Sequence, residues 1–438
     1  MSGCAGWIPR MLYNALLLPV GAAGAWCMKP FNRKLSRTLD ARTGWRERWR
    51  AGTKSIGDRP VWFHVSSVGE FEQARPLIQL MQERTPDVPV ALTFLSPSGY
   101  LFATRRESLD EKNNIKFIEY LPLDFGRNVR FCLASLRPRA LVFVKFDLWP
   151  NLIRLAREHG VPALLIDGTL SSGSLRFSRP GRAFYRPVYR ALDAILAISK
   201  ADAARFRSSC PDHPSITVTG DTRFDRVAQR KQRPLEFPVS TGGKTVFIAG
   251  SIWPEDEARI LPALGKIAGE HEELILVLAP HEPTPEHVRS LVEWARSREL
   301  SVELLGTLAE GTAARVIVVD TVGVLAELYR IADIAYVGGS FSSGVHNVIE
   351  PAIMGIPVLF GPAHSNSFEA LELIDRGGAV AIASAEDAGR EFGALVREPH
   401  ARVTMGKKAA AYVDTQLGAT ERCWQALAPH LGGERNTD

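Results

Sequence analysis

The sequence has little cysteine, and its cysteines lack the spacing of a structural framework. The 438 residues include five, none of them in a C-x-x-C pair: Cys4, Cys27, Cys132, Cys210 and Cys423. An odd, scattered set excludes a disulfide scaffold and a zinc-ribbon fold. It predicts a reducing compartment in which each cysteine serves as a small buried apolar side chain.

A strong excess of one charge is also absent. The formal net charge is +5, with 23% charged and 45% hydrophobic residues. This composition is typical of a globular protein, and the positive excess is too weak to indicate nucleic-acid binding. It does fit an anionic substrate or a membrane surface. A length of 438 residues favours two domains of about 200 residues each.

Common ligand-binding and metal-binding motifs are missing as well. The glycine-rich loops contain neither the GK[ST] ending of a P-loop nor G-x-G-x-x-G. Lys145, Asp147 and Asp167 do not form the D-x-D arrangement of metal-dependent sugar transferases, and no His, Cys, Asp and Glu cluster has metal-ligand spacing. The sequence therefore predicts a protein without a resident metal or cofactor.

The N-terminal region contains one long uncharged segment, residues 11–28. As a helix it would extend about 27 Å, close to the hydrocarbon thickness of a bilayer. Basic residues follow at once: Lys29, Arg33, Lys34 and Arg37. By the positive-inside rule we expect a membrane anchor and basic juxtamembrane segment over residues 1–50, with the bulk of the protein cytoplasmic. A cleaved signal peptide and a shallow interfacial helix are the alternatives.

Two series of short apolar runs follow, each alternating with amphipathic helices such as 70–84 and 124–136. Nearly continuous apolar runs are typical of parallel strands covered on both faces. The runs of the first series are 61–65, 90–95, 115–120, 140–145, 162–166 and 194–199. Those of the second are 245–250, 274–279, 314–319, 334–339, 357–360 and 379–382.

A polar, proline-bearing stretch at 229–244 separates the two series and is our predicted linker. The sequence thus predicts an α/β protein with two Rossmann-like domains, at 59–228 and 245–430, the second closed by C-terminal helices. Ligands of such sheets bind beyond the carboxyl ends of the strands, so we expect the two domains to face a common cleft.

The motif HVSSVGE at 64–70 follows the first predicted strand directly. Its serines and glycine form a tight turn that places Glu70 at the start of a helix. A carboxylate there can accept a proton from an attacking hydroxyl group. The alternative is a first-turn glutamate that merely benefits from the helix dipole.

A second motif, VKFDLWPNLI at 144–153, also lies where a strand meets a helix. Lys145 and Asp147 end the strand, and Pro150 is an ordinary first helical residue. These charged side chains are candidates for the cleft, and an ion pair at a domain edge is the alternative.

The glycine- and serine-rich stretch at 336–362 predicts a strand, a loop and a helix starting near His346. This arrangement presents backbone N–H groups and a helix N-terminus to a phosphate. Glu350 would lie one turn into the helix, within reach of ribose hydroxyls.

Other loops at strand ends supply further candidates. Gly250 and Ser251 follow the first strand of the second domain, and Pro280 and His281 follow the next. The segment 320–323 (DTVG) precedes a helix and could offer backbone groups to a base. Arg223 lies just before the linker and is a candidate cation for a phosphate.

In this order, the motifs resemble the Kdo (3-deoxy-D-manno-octulosonic acid) transferases of lipopolysaccharide biosynthesis. The resemblance runs from the N-terminal segment to about residue 385. The motifs that carry it are HVSSVGE, LTFLSPSG, YLPLD, FDLWPNLI, GDTRFD, AGS, DTVGVL and GGSFSSGVHNVIEPAIMGIPVLFGP.

The resemblance implies a GT-B fold and an inverting, metal-independent transferase. The donor would be CMP-Kdo, and the acceptor the lipid A precursor (lipid IVA) at the cytoplasmic face of the inner membrane. No nucleic acid takes part, and the sequence does not predict an oligomeric state. Glu70 matches the family's catalytic base, and Arg223 a basic residue that stabilises the transition state. The matches to the CMP-binding loops are Pro280, His281, Val322, Gly323, Val324, Asn347, Val348, Ile349 and Glu350.

The chain departs from the family pattern at several charged positions, one of which is Arg223, where the family usually has lysine. Where the family often has Glu-Thr-Glu, this chain has Lys145-Phe146-Asp147, so a cation replaces a carboxylate; Lys145 is our third catalytic candidate. The usual Pro-Arg pair is Pro280-His281 here. The rival interpretations are another GT-B membrane glycosyltransferase, a sugar-nucleotide epimerase, and a sugar-nucleotide-binding protein without catalysis.

Overall fold

The computed structural model describes residues 11–106, 114–231, 241–309 and 314–432. The chain divides into two compact units: Met1–Arg226 together with Gly418–Asp438, and Val227–Leu417. Residues 232–240, which make up most of the predicted linker, lie outside the described part of the chain.

The first unit is built on a sheet of seven parallel strands in the order β3-β2-β1-β4-β5-β6-β7. The strands are β1 Val61–Val65, β2 Val90–Phe94, β3 Ile115–Tyr120, β4 Ala140–Val144, β5 Ala163–Gly168, β6 Ala194–Ala197 and β7 Ile216–Val218. Neighbouring side chains of a strand enter different cores: Trp62 packs into one and Phe63 into the other, and neither is exposed. Burial on both faces explains why these strands read as unbroken apolar runs.

Side chains from helices pack on both faces of this sheet. The helices of the first unit are Leu18–Met28, Arg33–Asp40, Trp45–Thr53, Val68–Arg84, Pro97–Arg106, Gly126–Leu136, Pro150–Glu158, Arg179–Arg190, Lys200–Ser209 and Ala419–Leu427. A further helix, Thr222–Lys231, begins in the first unit and ends in the second. Serine side chains accept backbone N–H groups at the start of several of them, for example Ser67 and Ser199.

The second unit repeats the plan with seven parallel strands in the order β10-β11-β9-β8-β12-β13-β14. These strands are β8 Thr245–Ile252, β9 Leu274–Pro280, β10 Val302–Leu304, β11 Val316–Val318, β12 Ile334–Val337, β13 Val358–Phe360 and β14 Ala379–Ala381. The helices are Pro254–Glu270, Pro285–Arg296, Leu325–Leu328, Ile349–Ile353, Phe368–Asp375, Ala385–Arg397 and Pro399–Gln416.

These sheets confirm the predicted pair of parallel α/β units, and every apolar run of the two series overlaps an observed strand. The boundary at residue 430 was wrong, because Gly418–Asp438 belongs to the first unit. The physical reason lies at Asp225, whose carboxylate accepts the backbone N–H groups of Gly418 at 2.7 Å and Thr420 at 2.6 Å. The helix that follows buries Cys423 and Leu427 in a core of the first sheet.

The uncharged N-terminal segment forms a π-helical stretch, Tyr13–Leu17, followed by the α-helix Leu18–Met28. Tyr13 donates a hydrogen bond to Asp124 at 2.9 Å, and the side-chain amides of Asn14 and Asn151 bond to each other. In the described residues, no helix has both the length and the apolar character needed to cross a bilayer. The expected N-terminal membrane helix is therefore not found, since the regular α-helical part has only 11 residues.

Candidate active site

In each sheet the strand order reverses between two central strands, and predicted motifs lie at these switch points. In the first sheet, β1 lies between β2 and β4, so the connections after β1 and β4 leave toward opposite sides. A parallel α/β sheet binds its ligands beyond the carboxyl ends of the strands at such a switch point. The turn that carries Glu70 follows β1, and Lys145 and Asp147 follow β4.

Glu70 lies in the first turn of the helix Val68–Arg84, and only 6% of the residue is exposed. Its Oε2 atom accepts the backbone N–H of Ser66 at 2.5 Å, while its own N–H donates to the Ser67 hydroxyl at 3.3 Å. Burial raises the pKa of Glu70, and the charge of Asp147 raises it further, whereas the Ser66 N–H lowers it. A carboxylate in this environment is a stronger proton acceptor than a solvated one.

Asp147 lies at the centre of a polar cluster that the sequence did not reveal. Its Oδ2 atom is 3.0 Å from His64 Nε2, accepts the indole N–H of Trp149 at 3.1 Å, and accepts the hydroxyl of Ser66. Burial by itself would raise the pKa of Asp147, but the hydrogen bonds from His64, Ser66 and Trp149 outweigh it and lower the pKa. Asp147 is therefore ionised at neutral pH.

Lys145 has an unusual backbone conformation, with φ at 66°. Its N–H donates to Ile166 at 2.9 Å and its carbonyl accepts from Thr169 at 3.1 Å, which ties the end of β4 to β5. The ammonium group lies 5.6 Å from the centre of the Phe146 ring. A non-glycine residue at positive φ is strained, so the surrounding structure must stabilise it. Such strained residues are concentrated at functional sites.

Arg223 lies beside the helix that carries Glu70. Its guanidinium pairs with Asp221 at 2.6 Å. The next residue toward the N-terminus, Thr222, donates its hydroxyl to the Gln73 carbonyl at 2.7 Å and its N–H to Asp167 at 3.0 Å. Burial raises the pKa of Asp167, and the neighbouring Asp221 adds to that effect. The structure thus places Arg223 on a buried polar network that contacts the Glu70 helix.

The switch point of the second sheet lies between β8 and β12, which are direct neighbours. Gly250 and Ser251 belong to the end of β8, and Ser251 has φ at 53°. A Cβ atom on Gly250 would lie 2.2 Å from the Tyr329 hydroxyl, and one on Gly338 would lie 2.2 Å from the Ser251 carbonyl. Glycine at position 250 therefore lets the Tyr329 side chain pack against β8, and glycine at position 338 lets the loop after β12 approach the β8 backbone.

Asp256 holds this junction together, and sequence reasoning missed it. The side chain is fully buried in the first turn of Pro254–Glu270. It accepts the N–H groups of Trp253 at 2.9 Å and Gly339 at 2.8 Å, and the Tyr336 hydroxyl at 2.7 Å. The end of β8 is thereby fixed to the glycine-rich loop after β12.

The glycine-rich loop differs from its prediction at its far end. The helix begins at Ile349 and ends at Ile353, whereas it was expected to begin near His346. The reason is that Val345 pairs with Ala363 at 3.0 Å and with the Asn366 side chain, which keeps the chain irregular up to Val348.

The predicted donor-binding residues at the start of this short helix make contacts within the protein. The Asn347 side chain accepts the N–H of Ile349 at 3.1 Å, while Val348 and Ile349 are buried. Glu350 is half-buried and pairs with Arg230 at 3.4 Å. Its predicted contact with ribose would compete with this ion pair.

Three aromatic rings pack at the carboxyl ends of β8 and β9. The His281 ring, which follows Pro280 at the end of β9, stacks on Trp253 with centres 4.5 Å apart and on His346 with centres 4.4 Å apart. The Trp253 indole donates to His346 Nε2 at 3.0 Å. Burial lowers the pKa of His346, and the neighbouring His281 lowers it further, so His346 is neutral and accepts this bond.

The remaining predicted loop, around Asp320, is exposed. Val322 has 73% of its surface exposed, Gly323 has φ at 88°, and Val324 precedes the helix Leu325–Leu328. Asp320 accepts the N–H of Gly306 at 2.9 Å and so is engaged within the loop region. Across the described ranges, no three His, Cys, Asp or Glu side chains are grouped as a metal site would require.

Similarity to known proteins agrees with this geometry. Residues 37–226 match a family model described as 3-deoxy-D-manno-octulosonic-acid transferase (kdotransferase). A 3-deoxy-D-manno-octulosonic acid transferase of Bordetella pertussis is 30% identical over 381 residues, or 85% of this chain and 88% of the relative. The chain belongs to the Kdo transferase family. It is therefore a glycosyltransferase, as the motifs predicted.

Further comparisons extend the match to the whole chain and to the fold. A 3-deoxy-D-manno-octulosonic acid transferase of Chlamydophila psittaci is 27% identical over 437 residues, which cover 97% of this chain and 93% of the relative. The solved structure of UDP-GlcNAc 2-epimerase from Neisseria meningitidis has a TM-score of 0.61 at 14% identity, covering 84% of this chain and 100% of that chain. At this identity the likeness shows the fold alone, two GT-B-like Rossmann units.

Proposed function

We propose that this Kdo transferase moves Kdo from CMP-Kdo to a lipid A precursor (lipid IVA) in lipopolysaccharide synthesis. The reaction inverts the anomeric carbon and needs no metal. The observation that carries the proposal is the buried Glu70 carboxylate at the switch point of the first sheet, in a chain whose relatives are named Kdo transferases. The donor, acceptor and metal independence follow from the family resemblance.

Glu70 is the proposed general base. Its Oε2 atom is held by the Ser66 N–H, so Oε1 is the atom that would take the proton from the acceptor hydroxyl. Burial raises its pKa, which matches a base that must release its proton again after each turnover. The acceptor oxygen then attacks the anomeric carbon while CMP leaves.

An apolar cavity beside the Glu70 helix suits a lipid acceptor. It has a volume of about 550 Å³ and is lined by Val68, Ser98, Leu101, Phe102 and Arg105. Apolar side chains fit acyl chains, and the arginine complements the anionic groups of a lipid A precursor. Leu101 is 48% exposed, as expected for a side chain that a ligand covers.

The donor would bind at the switch point of the second sheet. Gly250, Gly338 and Gly339 bring backbone close together there, which suits the approach of a phosphate. A helix of five residues has a small dipole, so backbone N–H groups of the loop, rather than the helix, would contact the phosphate. Arg223 and Lys145 are the proposed cations for charge that develops in the transition state.

We also propose that the enzyme works at the cytoplasmic face of the inner membrane. The support is a group of exposed apolar side chains in the N-terminal segment, including Leu16, Trp26 and Phe31, beside basic residues such as Lys29 and Arg33. Apolar and basic side chains together favour the surface of an anionic bilayer.

The experiment is transfer from CMP-Kdo to a tetraacyl lipid A precursor, followed by mass spectrometry of the product. Glu70→Gln should lower kcat by about 100-fold or more, because it removes the base and keeps the size. Glu83→Gln is the matched control, since Glu83 is an exposed carboxylate on the same helix. Near-normal transfer by Glu70→Gln would refute Glu70 as base, and complete loss of parent activity in EDTA would refute metal independence.

A further inference from the structure

Buried hydrogen bonds hold the His64 ring in place. Trp62 donates its indole N–H to the Thr93 hydroxyl oxygen at 2.8 Å, and that oxygen is 3.0 Å from His64 Nδ1. These three side chains are fully buried. On the other side of the ring, the Trp149 indole N–H donates to His64 Nε2 at 2.9 Å. Contacts at both ring nitrogens thus fix the orientation of His64 beside Asp147.

Asp147 Oδ2 lies 3.0 Å from His64 Nε2, and the indole N–H of Trp149 also reaches this oxygen at 3.1 Å. The Ser66 hydroxyl donates to the same atom. These hydrogen bonds stabilise the ionised carboxylate and lower the pKa of Asp147.

Ser66 connects Asp147 to Glu70. Its hydroxyl donates to Asp147, and its backbone N–H donates to Glu70 Oε2. Asp147 follows β4, Ser66 follows β1, and these two strands are paired in the sheet. The bond across the strand ends thus fixes the residue that holds the Glu70 carboxylate.

We propose that Asp147 is a positioning residue for Glu70: through Ser66 it orients the Glu70 carboxylate, and through its charge it sets the electrostatic environment of that carboxylate. The inference rests on the proposed role of Glu70 as base. The charged or titratable groups that face Glu70 are Asp147, His64 and Lys145. Asp147 is the anion of this environment, and its charge opposes that of Lys145.

Asp147→Asn separates the charge from the packing, because the two side chains have the same shape. Removal of the anion should lower the pKa of Glu70, so the acid limb of the kcat/KM profile should move to lower pH by roughly one unit. Ser66→Ala leaves the charge in place and removes the hydroxyl that links Asp147 to the turn. It should lower kcat by about 10-fold without moving the acid limb.

The measurement is the pH profile of Kdo transfer for the parent, Asp147→Asn, Ser66→Ala and Glu70→Gln. Asp212→Asn is the charge-matched control, as Asp212 pairs with Arg186 and Arg190 at the surface. An unshifted acid limb in Asp147→Asn, with Glu70→Gln inactive, overturns the positioning role and leaves Glu70 as base. Normal activity of Glu70→Gln overturns the base itself. If Asp147→Asn does not fold, parent-like kcat in Ser66→Ala overturns the inference.

Discussion

Asp256 offers the sharpest test of how the second unit holds its glycine-rich loop. The buried carboxylate accepts two backbone N–H groups through Oδ2 and the Tyr336 hydroxyl through Oδ1. Asp256→Ala leaves all three donors without a partner. Each buried donor left unsatisfied costs about 1–3 kcal/mol, so we expect the three together to lower the free energy of unfolding by about 3–9 kcal/mol.

Asp256→Asn should behave differently because the amide can replace most of these bonds. Its oxygen can take the place of Oδ2 and keep both backbone donors, while its NH2 group donates to the Tyr336 hydroxyl, which also accepts. The remaining loss is the strength that charge adds to a hydrogen bond, about 1 kcal/mol. The two variants therefore predict a graded series.

Scanning calorimetry of the full chain measures this series, since about 1 kcal/mol shifts the Tm of a domain of this size by roughly 2–4 °C. Asp256→Ala should lower the Tm of the second unit by about 6 °C or more, and Asp256→Asn by about 2–4 °C. The same variants should weaken CMP binding in the same order in titration calorimetry, because Asp256 fixes the Gly339 N–H. Equal melting of the two variants, or melting of Asp256→Ala within about 2 °C of the parent, would refute the reasoning.

Three further perturbations test other parts of the structure. Gly338→Ala places a Cβ atom 2.2 Å from a β8 carbonyl oxygen and should destabilise the second unit by about 2 kcal/mol or more. Gly389 lies in a helix with open space around it, so Gly389→Ala should stabilise the second unit by about 0.5–1 kcal/mol. Equal effects of the two substitutions in calorimetry would contradict this expectation. Burial raises the pKa of Asp124 to about 7, so above that pH the substitution Tyr13→Phe removes a hydrogen-bond donor to a buried anion. Relative to the parent, deuterium exchange of residues 11–28 should become about tenfold faster at pH 8 and should change less at pH 6. The same change at both pH values would count against this hydrogen bond. Asp225→Ala frees the two N–H groups that open the last helix and should expose that helix to proteolysis before the second unit is cut; simultaneous cleavage would argue against the cap.

The strands could be predicted where burial on both faces leaves an unbroken apolar run. β7 (Ile216–Val218) and β10 (Val302–Leu304) escaped because each is a partly exposed edge strand of three residues with a polar residue at its centre, Thr217 or Glu303. The edge strand β14 (Ala379–Ala381) is equally short, but its residues are all apolar, and it was predicted. An edge strand needs little apolar character, so periodicity does not mark it. The prediction of an N-terminal membrane helix was wrong for a related reason. A run of uncharged residues predicts an apolar environment, but it does not reveal that Tyr13 and Asn14 form hydrogen bonds with Asp124 and Asn151.

The candidate site could be predicted only motif by motif. Glu70 and Asp147 both lie at or after the carboxyl end of a predicted strand, yet nothing in the sequence says that β1 and β4 are neighbours while β2 lies on the other side of β1. The contact between His64 and Asp147 joins residues 83 apart and depends on that strand order. The same holds for Trp253 and His346, whose hydrogen bond depends on the pairing of β8 with β12.

The first unit is built from two separate segments of the chain, and this has a consequence for its folding during synthesis. Its sheet and most of its helices are encoded before Arg226, but the helix Ala419–Leu427, which buries Cys423 and Leu427 against that sheet, is encoded after the entire second unit. At about 5–20 residues per second, a ribosome needs about 10–40 s to synthesise the intervening segment. During that time an apolar patch of the nascent first unit is uncovered, and it is a ready substrate for chaperones. Nonsense mutations near the 3′ end of the gene should therefore harm the unit that is translated first.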